Sequence, residues 1–229
     1  MKKKISKRFK KLTSKENKKQ LIHFDEAIKL VKKNCTTKFN ESIDISLTLN
    51  LKQKKEDVNL RTVVNLPNSN GKKIRIAVLC EDTKTQEAKD SGADVYGSES
   101  LVNAISSGNI NFDKLVATPS MMSKMGKLGK ILGPKGLMPN PKIGTVTNDI
   151  KSVVKALKAG QIEIKNDKDG NLGVSIGRKS FPDVKISENF KSVMETISKE
   201  KPTGIKGNFI ISAYLTSTMG TSYKLKLTR

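Results

Sequence analysis

Residues Ser42–Leu51 read S-I-D-I-S-L-T-L-N-L and alternate between polar and apolar side chains at every position. In an extended strand this alternation places the apolar side chains on one face, so the stretch predicts a half-buried β-strand. The pattern returns in the last third of the chain, and helical apolar spacing accompanies it near both ends. The other alternating stretches are 162–164, 172–176 and 209–215, and the helical ones are 26–33 and 187–199. Both ends of the chain therefore predict an α+β fold.

The helix predicted over 26–33 follows Asp25, a residue type that commonly caps a helix by accepting a backbone N–H bond. Its spacing predicts a buried face of Ala27, Leu30 and Val31. The segment 60–66 predicts a further strand, after a charged connection over 52–57.

The middle of the chain has a different pattern. Residues 74–79 are apolar apart from Arg75, and 115–117 form a shorter apolar run. Helical stretches separate and follow these two runs. Strands that alternate with helices predict a parallel sheet that is covered on both faces.

Turn residues mark the two boundaries between the α+β pattern of the chain ends and the α/β pattern of the middle, at 67–71 and at Ala159-Gly160. The predicted architecture is a discontinuous α+β domain of the split β-α-β type, with a three-layer α/β domain inserted into it. The first domain comprises residues 1–67 and 160–229, and the inserted domain comprises 68–159. Domains joined by two chain segments tend to move as rigid bodies.

Residues 118–146 connect elements of the predicted inserted domain and have an unusual composition. The stretch contains five lysines, five glycines and no acidic residue. Prolines in its second half rule out a continuous helix there, so the composition predicts a long, mobile, cationic loop over 121–144. The glycines lack the spacing of the nucleotide-binding pattern G-x-x-x-x-G-K-[ST], and no Ser or Thr follows Lys135. Nucleotide hydrolysis is not predicted.

The chain is strongly basic, with 44 Lys and Arg against 22 acidic residues and a net charge of +22. Because the excess is spread along the whole length, the predicted partner is a polyanion, and nucleic acid is the default. The Lys-rich residues 1–20 fit two alternatives, a solvated tail or an arm that orders on RNA phosphates. No apolar run approaches the roughly 20 residues of a membrane-spanning helix, so no membrane partner is predicted.

Residues that support catalysis are scarce. His23 is the only histidine, and Cys35 and Cys80 are isolated, which is typical of a reducing compartment. Neither a zinc site nor a Ser-His-Asp triad can be assembled from them. We therefore predict no metal, no cofactor and no enzymatic activity.

Two polar segments remain as candidates for RNA contact, Thr36–Ser42 and Thr216–Ser222. The strand signature of RNA-recognition modules begins at Lys206-Gly207 but fails at Asn208. With seven Phe, three Tyr and no Trp, a platform for base stacking is poorly supplied. Contacts to phosphates and 2′-hydroxyls from Lys, Ser, Thr and backbone amides fit better. The second segment also fits an ordinary hairpin turn, although an apolar Met219 at a turn is unusual.

Several stretches of the sequence resemble those of a known family, the L-one family of large-subunit ribosomal proteins. The similarity covers nearly the whole chain, and its strongest part is the run L-G-K-I-L-G-P-K-G-L-M-P-N-P-K-I-G-T-V that ends at Val146. The remaining matches are K-L-V-A-T-P from Lys114, residues 160–170, S-T-M-G at 217–220, T-K-F-N-E-S at 37–42, Arg61 with Leu66-Pro67, and Lys206-Gly207.

The resemblance implies a structural protein of the large ribosomal subunit that binds the stalk region of large-subunit rRNA near the tRNA exit site. It further implies help in releasing deacylated exit-site tRNA, repression of its own mRNA, and only peripheral contact with other ribosomal proteins. The implied location is the ribosome of a bacterial cytoplasm or a plastid stroma. The implied RNA-facing residues are Lys38, Phe39, Ser42, Asp44, Lys165, Ser212, Ser217, Thr218, Met219 and Gly220. The competing hypothesis is a general nucleic-acid-binding or chaperone protein without rRNA specificity.

Overall fold

The computed structural model describes residues 6–13, 20–51, 60–202 and 207–227. These residues divide into two compact units. The terminal unit lies within Met1–Gly71 and Glu163–Arg229, and the middle unit is Lys72–Ile162. The boundaries given above for the two domains stay a prediction. Most of the basic tail over 1–20, the connection over 52–57 and Lys206 lie outside the described residues.

Both units contain helices and β-strands. The α-helices are α1 (Lys7–Thr13), α2 (Phe24–Asn34), α3 (Thr85–Asp90), α4 (Glu99–Ser106), α5 (Met122–Met125), α6 (Gly129–Leu132), α7 (Ile150–Ala159) and α8 (Asp183–Lys199). The strands are β1 (Ser42–Leu49), β2 (Arg61–Asn65), β3 (Ile76–Leu79), β4 (Val95–Gly97), β5 (Lys114–Ala117), β6 (Gln161–Lys165), β7 (Asn171–Arg178), β8 (Ile210–Ser217) and β9 (Tyr223–Lys224). Among the helices that the structure describes, none combines the length and apolar character needed to cross a membrane.

The strand predicted from the opening stretch is confirmed as β1, an inner strand of a four-stranded sheet in the order β7-β1-β8-β9. Its neighbours β7 and β8 are antiparallel to it and come from the C-terminal part of the chain. The side chains of Ile43, Ile45, Leu47 and Leu49 are all at most 1% exposed, as the alternation predicts. Strands β2 and β6 form a separate two-stranded sheet.

Helices α2 and α8 pack against this four-stranded sheet and against each other. The prediction of an Asp25 cap is wrong, because α2 begins at Phe24 and Asp25 lies in its first turn. A carboxylate there still stabilises the helix through the helix dipole. The buried face contains Ile28 instead of the predicted Leu30, which is 36% exposed. These two positions are about 200° apart around a helix, so only one of them can face the sheet.

The middle unit contains a parallel three-stranded sheet in the order β4-β3-β5. Successive residues of its central strand enter two different cores. Ala77 and Leu79 pack in one core with α4 and residues 121–132, whereas Ile76 and Val78 pack in the other with α3 and α7. Both faces of this sheet are therefore covered. Together the two units confirm a mixed fold of helices and sheets.

The segment 118–146 is not the loop that its composition predicts. It contains α5 and α6 and three short 3-10 turns at Pro119–Met121, Gly126–Leu128 and Pro141–Ile143. Met121, Met125, Leu128 and Leu132 are each at most 4% exposed and belong to a core of the middle unit. Their spacings of four, three and four residues are helical, a signal that the lysines and glycines obscured.

Candidate nucleic-acid interface

Residues 36–42 and 216–222, here called the corner, meet because β1 begins where its antiparallel partner β8 ends. Ile43 lies opposite Ser217 in the sheet. Beyond that pair, the backbone N–H of Thr218 donates to the Ser42 carbonyl at 3.1 Å. The N–H of Ser42 donates to the Thr218 Oγ1 at 3.0 Å. The two predicted polar segments thus form one continuous structure.

Glu41 holds the corner together from inside, and its side chain is fully buried. One carboxylate oxygen accepts from the Thr37 hydroxyl at 2.7 Å and from the Thr37 N–H at 3.3 Å. The other accepts from the Met219 N–H at 3.1 Å, and the Ser217 hydroxyl donates to the same carboxylate. Burial acts to raise the pKa of Glu41, but these hydrogen bonds outweigh it, and the pKa lies below its ordinary value. The ionised carboxylate joins segments 178 residues apart.

Glu41 is absent from the residues predicted from the sequence, although the sequence contains a signal for it. Counting back from Ile43, residue 41 belongs to the odd-numbered register whose side chains face the core. An acidic residue in that register must find several hydrogen-bond donors, because an uncompensated buried charge is strongly unfavourable. The register alone could therefore have identified Glu41 as a buried polar group with partners.

Two apolar side chains project from the corner into solvent. Phe39 is 52% exposed and Met219 is 48% exposed. Lys38 and Thr218 are also exposed beside them in sequence. The single proton of the Thr37 hydroxyl is directed to Glu41 at 2.7 Å and is shared with the Phe39 carbonyl oxygen at 3.3 Å. Because the Thr37 N–H also donates to Glu41, one carboxylate connects the backbone near Phe39 to the backbone of Met219. The exposed side chains therefore stand on a fixed backbone.

Gly220 and Ser217 close the turn of the corner. The Gly220 N–H donates to the Ser217 carbonyl at 3.2 Å. A Cβ added at Gly220 would lie 2.3 Å from the Ser217 Oγ, so a larger residue at this position would have to displace the Ser217 hydroxyl. Ser217 is 3% exposed, and its hydroxyl points to the Glu41 carboxylate. In this structure Ser217 thus supports the corner from inside.

The other predicted residues lie at increasing distance from the corner. Asp44 pairs with Thr216 across the sheet, where burial raises its pKa against an opposing hydrogen bond with Ser175. Ser212 lies opposite Thr48 on the same face, four residues further along β8, or about 13 Å. Lys165 is exposed on β6, in the separate two-stranded sheet, so the structure does not bring it into the corner.

Neither a metal centre nor a reactive thiol competes with the corner in the described part of the chain. There, no three His, Cys, Asp or Glu side chains are grouped so that they would hold a metal ion. Cys35 and Cys80 are both buried and unbridged. Burial raises the pKa of each thiol, which disfavours the reactive thiolate.

Comparisons with known proteins agree on one family. The model of the family described as "Ribosomal protein L1p/L10e family" matches residues 31–221, which include the corner up to Thr221. The "Large ribosomal subunit protein uL1" of Pelagibacter ubique (strain HTCC1062) is 56% identical over 223 residues, 97% of each chain. The protein of the same name from Prochlorococcus marinus subsp. pastoris is 47% identical over 225 residues, 98% of this chain and 95% of the relative. A third, from Prochlorococcus marinus strain SARG, is 46% identical over 224 residues, 98% of this chain and 95% of the relative.

Proposed function

The chain belongs to the ribosomal protein L1p/L10e family, and we propose that it is a constituent of the large ribosomal subunit that binds the stalk region of large-subunit rRNA through the corner. Membership of this family confirms the prediction that the chain is not an enzyme, and its bacterial relatives support a bacterial ribosome as its location. The proposal includes the predicted architecture, in which a discontinuous RNA-binding domain carries an inserted α/β domain.

The observation that carries the proposal is the fixed display of Phe39 and Met219 above one buried carboxylate. Two large apolar side chains that stand half exposed on one hydrogen-bonded corner suit a surface that a partner covers. Ribose and base surfaces provide such cover, while the exposed side chains of Lys38 and Thr218 offer hydrogen bonds to phosphates and 2′-hydroxyls. Because the corner is already ordered by Glu41, little conformational entropy is lost on binding.

This arrangement favours a specific RNA over any polyanion. General polyanion binding depends on the number of cations that meet phosphates and needs no rigid apolar tips. The corner instead combines one exposed lysine, Lys38, with two apolar side chains and a hydroxyl in a fixed geometry. A surface of that kind selects an RNA by shape.

The proposal extends to two further RNAs. Exit-site tRNA is the partner whose release in deacylated form the stalk assists, and the chain's own mRNA is the partner of translational repression. Family membership supports both, together with only peripheral contacts to other ribosomal proteins. A leader fragment of its own mRNA that displaced the rRNA fragment from the corner would support the shared use of one surface.

Competition tests the rRNA proposal directly. The full chain is bound to a labelled rRNA stalk fragment at physiological salt and challenged with excess duplex DNA. A specific complex should withstand about a thousandfold excess, the lower end of the ratio between specific and non-specific nucleic-acid affinities. If duplex DNA competes on equal terms, the general nucleic-acid-binding or chaperone hypothesis replaces this one.

A further inference from the structure

The N-terminal helix α1 contacts the corner through one arginine. The Arg8 guanidinium donates to the Thr36 Oγ1 at 3.0 Å and to the Met219 carbonyl oxygen at 2.6 Å. These acceptors belong to the two different segments of the corner. Arg8 therefore bridges the segments on the partly exposed side, as Glu41 does in the interior.

The residues of α1 separate by exposure around the helix. Arg8, Phe9, Leu12 and Thr13 are half-buried, whereas Lys7, Lys10 and Lys11 are exposed. At 100° per residue the exposed group spans about 100° and the half-buried group about 140°, on opposite sides of the helix. Docking through Arg8 thus leaves the side chains of Lys7 and Lys10 on the exposed side of the helix.

Charge identifies the kind of partner that this face fits. Residues 6–13 contain four cations and no acidic residue. The helix has no fully buried residue, so apolar burial contributes little to holding it in place. Yet α1 leaves Phe39 and Met219 about half exposed, and it does not cover the proposed binding surface.

We infer that α1 is a tethered phosphate-binding arm, which Arg8 holds against the corner so that its lysines meet the backbone of the RNA bound there. The inference rests on the proposed function and deepens it by assigning the electrostatic part of binding to a particular helix. The corner selects the RNA, and the arm adds affinity that falls with salt. For the basic N-terminal residues, the inference favours an arm that orders on RNA phosphates over a solvated tail.

The test measures affinity for the stalk fragment between 50 and 300 mM salt with the full chain. In the double variant Lys7→Gln with Lys10→Gln, the slope of log K against log salt should become shallower by about 1.5, since each lost phosphate contact contributes about 0.7 to 0.9. The matched control is Lys191→Gln with Lys199→Gln, two exposed lysines of α8. It removes the same charge without touching α1. Equal changes of slope in the two variants would overturn the arm.

Arg8→Lys tests the tether because it preserves the charge but loses the planar fork that reaches two acceptors. The arm's lysines should then contribute less, so the slope should become shallower although no charge is lost. When Arg8→Lys is combined with Lys7→Gln and Lys10→Gln, the change in salt slope should be smaller than the sum of the separate changes. If the slope changes are fully additive, or if Arg8→Lys leaves the slope unchanged, Arg8 does not tether the arm. If the wild-type chain fails to prefer the stalk fragment over duplex DNA, the proposed function fails instead, whatever the slopes show.

Discussion

The corner and the segment 118–146 are both rich in residues that suggested a binding loop, yet the structure uses the same residue types in opposite ways. Met219 of the corner is 48% exposed, whereas Met121 and Met125 of the segment are 4% and 0% exposed. The difference lies in spacing. Met121 and Met125 are one helical turn apart and reach a core, whereas Met219 lies in a turn and its side chain is directed into solvent.

Charge is also distributed differently in the two regions. The corner is organised by a buried carboxylate, Glu41, with donors from both segments. The segment instead carries its lysines on the surface, and Lys124 pairs with the exposed Glu99 at 2.7 Å. Exposed pairs of this kind contribute little to stability. We therefore expect stability of the segment to depend on its apolar side chains and stability of the corner to depend on its hydrogen bonds.

The largest effect is expected from Met125→Ala. Removing a fully buried side chain from the middle unit should lower the free energy of unfolding by about 2–5 kcal/mol, through lost apolar burial and a remaining cavity. Urea unfolding followed by probes in the middle unit measures this loss. Met219→Ala is the matched control and should change stability by less than about 0.5 kcal/mol. Similar losses in both variants would erase the contrast between the two regions.

Glu41→Gln is expected to lower the free energy of unfolding by about 1–3 kcal/mol, since the amide cannot accept from every donor that faces the carboxylate. The effect should depend on pH. Because the folded-state pKa of Glu41 is lowered from the ordinary value of 4.5, its contribution is present above that value and is lost as pH falls through the folded pKa. Unfolding curves of wild type and variant should converge in acid.

Asp44, in the same sheet, should change stability with pH in the direction opposite to Glu41. Burial raises its pKa, so its ionisation destabilises the fold as pH rises above 3.8. Comparing each variant with wild type separates the two groups, and Asp44→Asn should be neutral or stabilising near pH 7. If Glu41→Gln lowered the free energy of unfolding as much in acid as at neutral pH, the charge of Glu41 would have no role in stability.

Met219→Ala is expected to weaken binding of the rRNA stalk fragment by about 1–3 kcal/mol while leaving the fold intact, because a packed contact with RNA is left unmade. Thr218→Ala should act in the same direction. Binding of duplex DNA is the control and should not change, since it does not depend on the apolar tips. Unchanged binding of the stalk fragment in both variants would place the interface elsewhere.

The smallest effects are expected from two glycine substitutions of opposite sign. Gly220→Ala should destabilise the corner by about 1 kcal/mol, because the added Cβ would meet the Ser217 Oγ at 2.3 Å. Gly126→Ala should stabilise the middle unit by about 0.5–1 kcal/mol, since Gly126 has helical backbone angles and open space where the Cβ would lie. Differences in melting temperature measure both. Equal signs would show that the two turns are not distinguished by their packing.

Much of the fold follows from local patterns. The alternation at 42–51 predicted β1 and its buried side chains, and the apolar run at 74–79 predicted the central strand of the middle unit. The predictions were wrong where the composition hid the apolar spacing, as in the segment 118–146, or where two apolar residues compete for one helix face, as with Ile28 and Leu30. In both places the sequence contained the correct signal together with a second one that favoured a different structure.

The sequence by itself determined which stretches form strands and helices, and that the chain is basic throughout, because periodicity and charge are local properties. Only the tertiary structure decided that Glu41 joins Thr37 to Met219, that Ser217 points inward, and that Lys165 stands apart. The partner of a buried polar group depends on which distant segment packs against it. That choice is made when β1 and β8 pair across more than 150 residues of chain, and no local pattern records it.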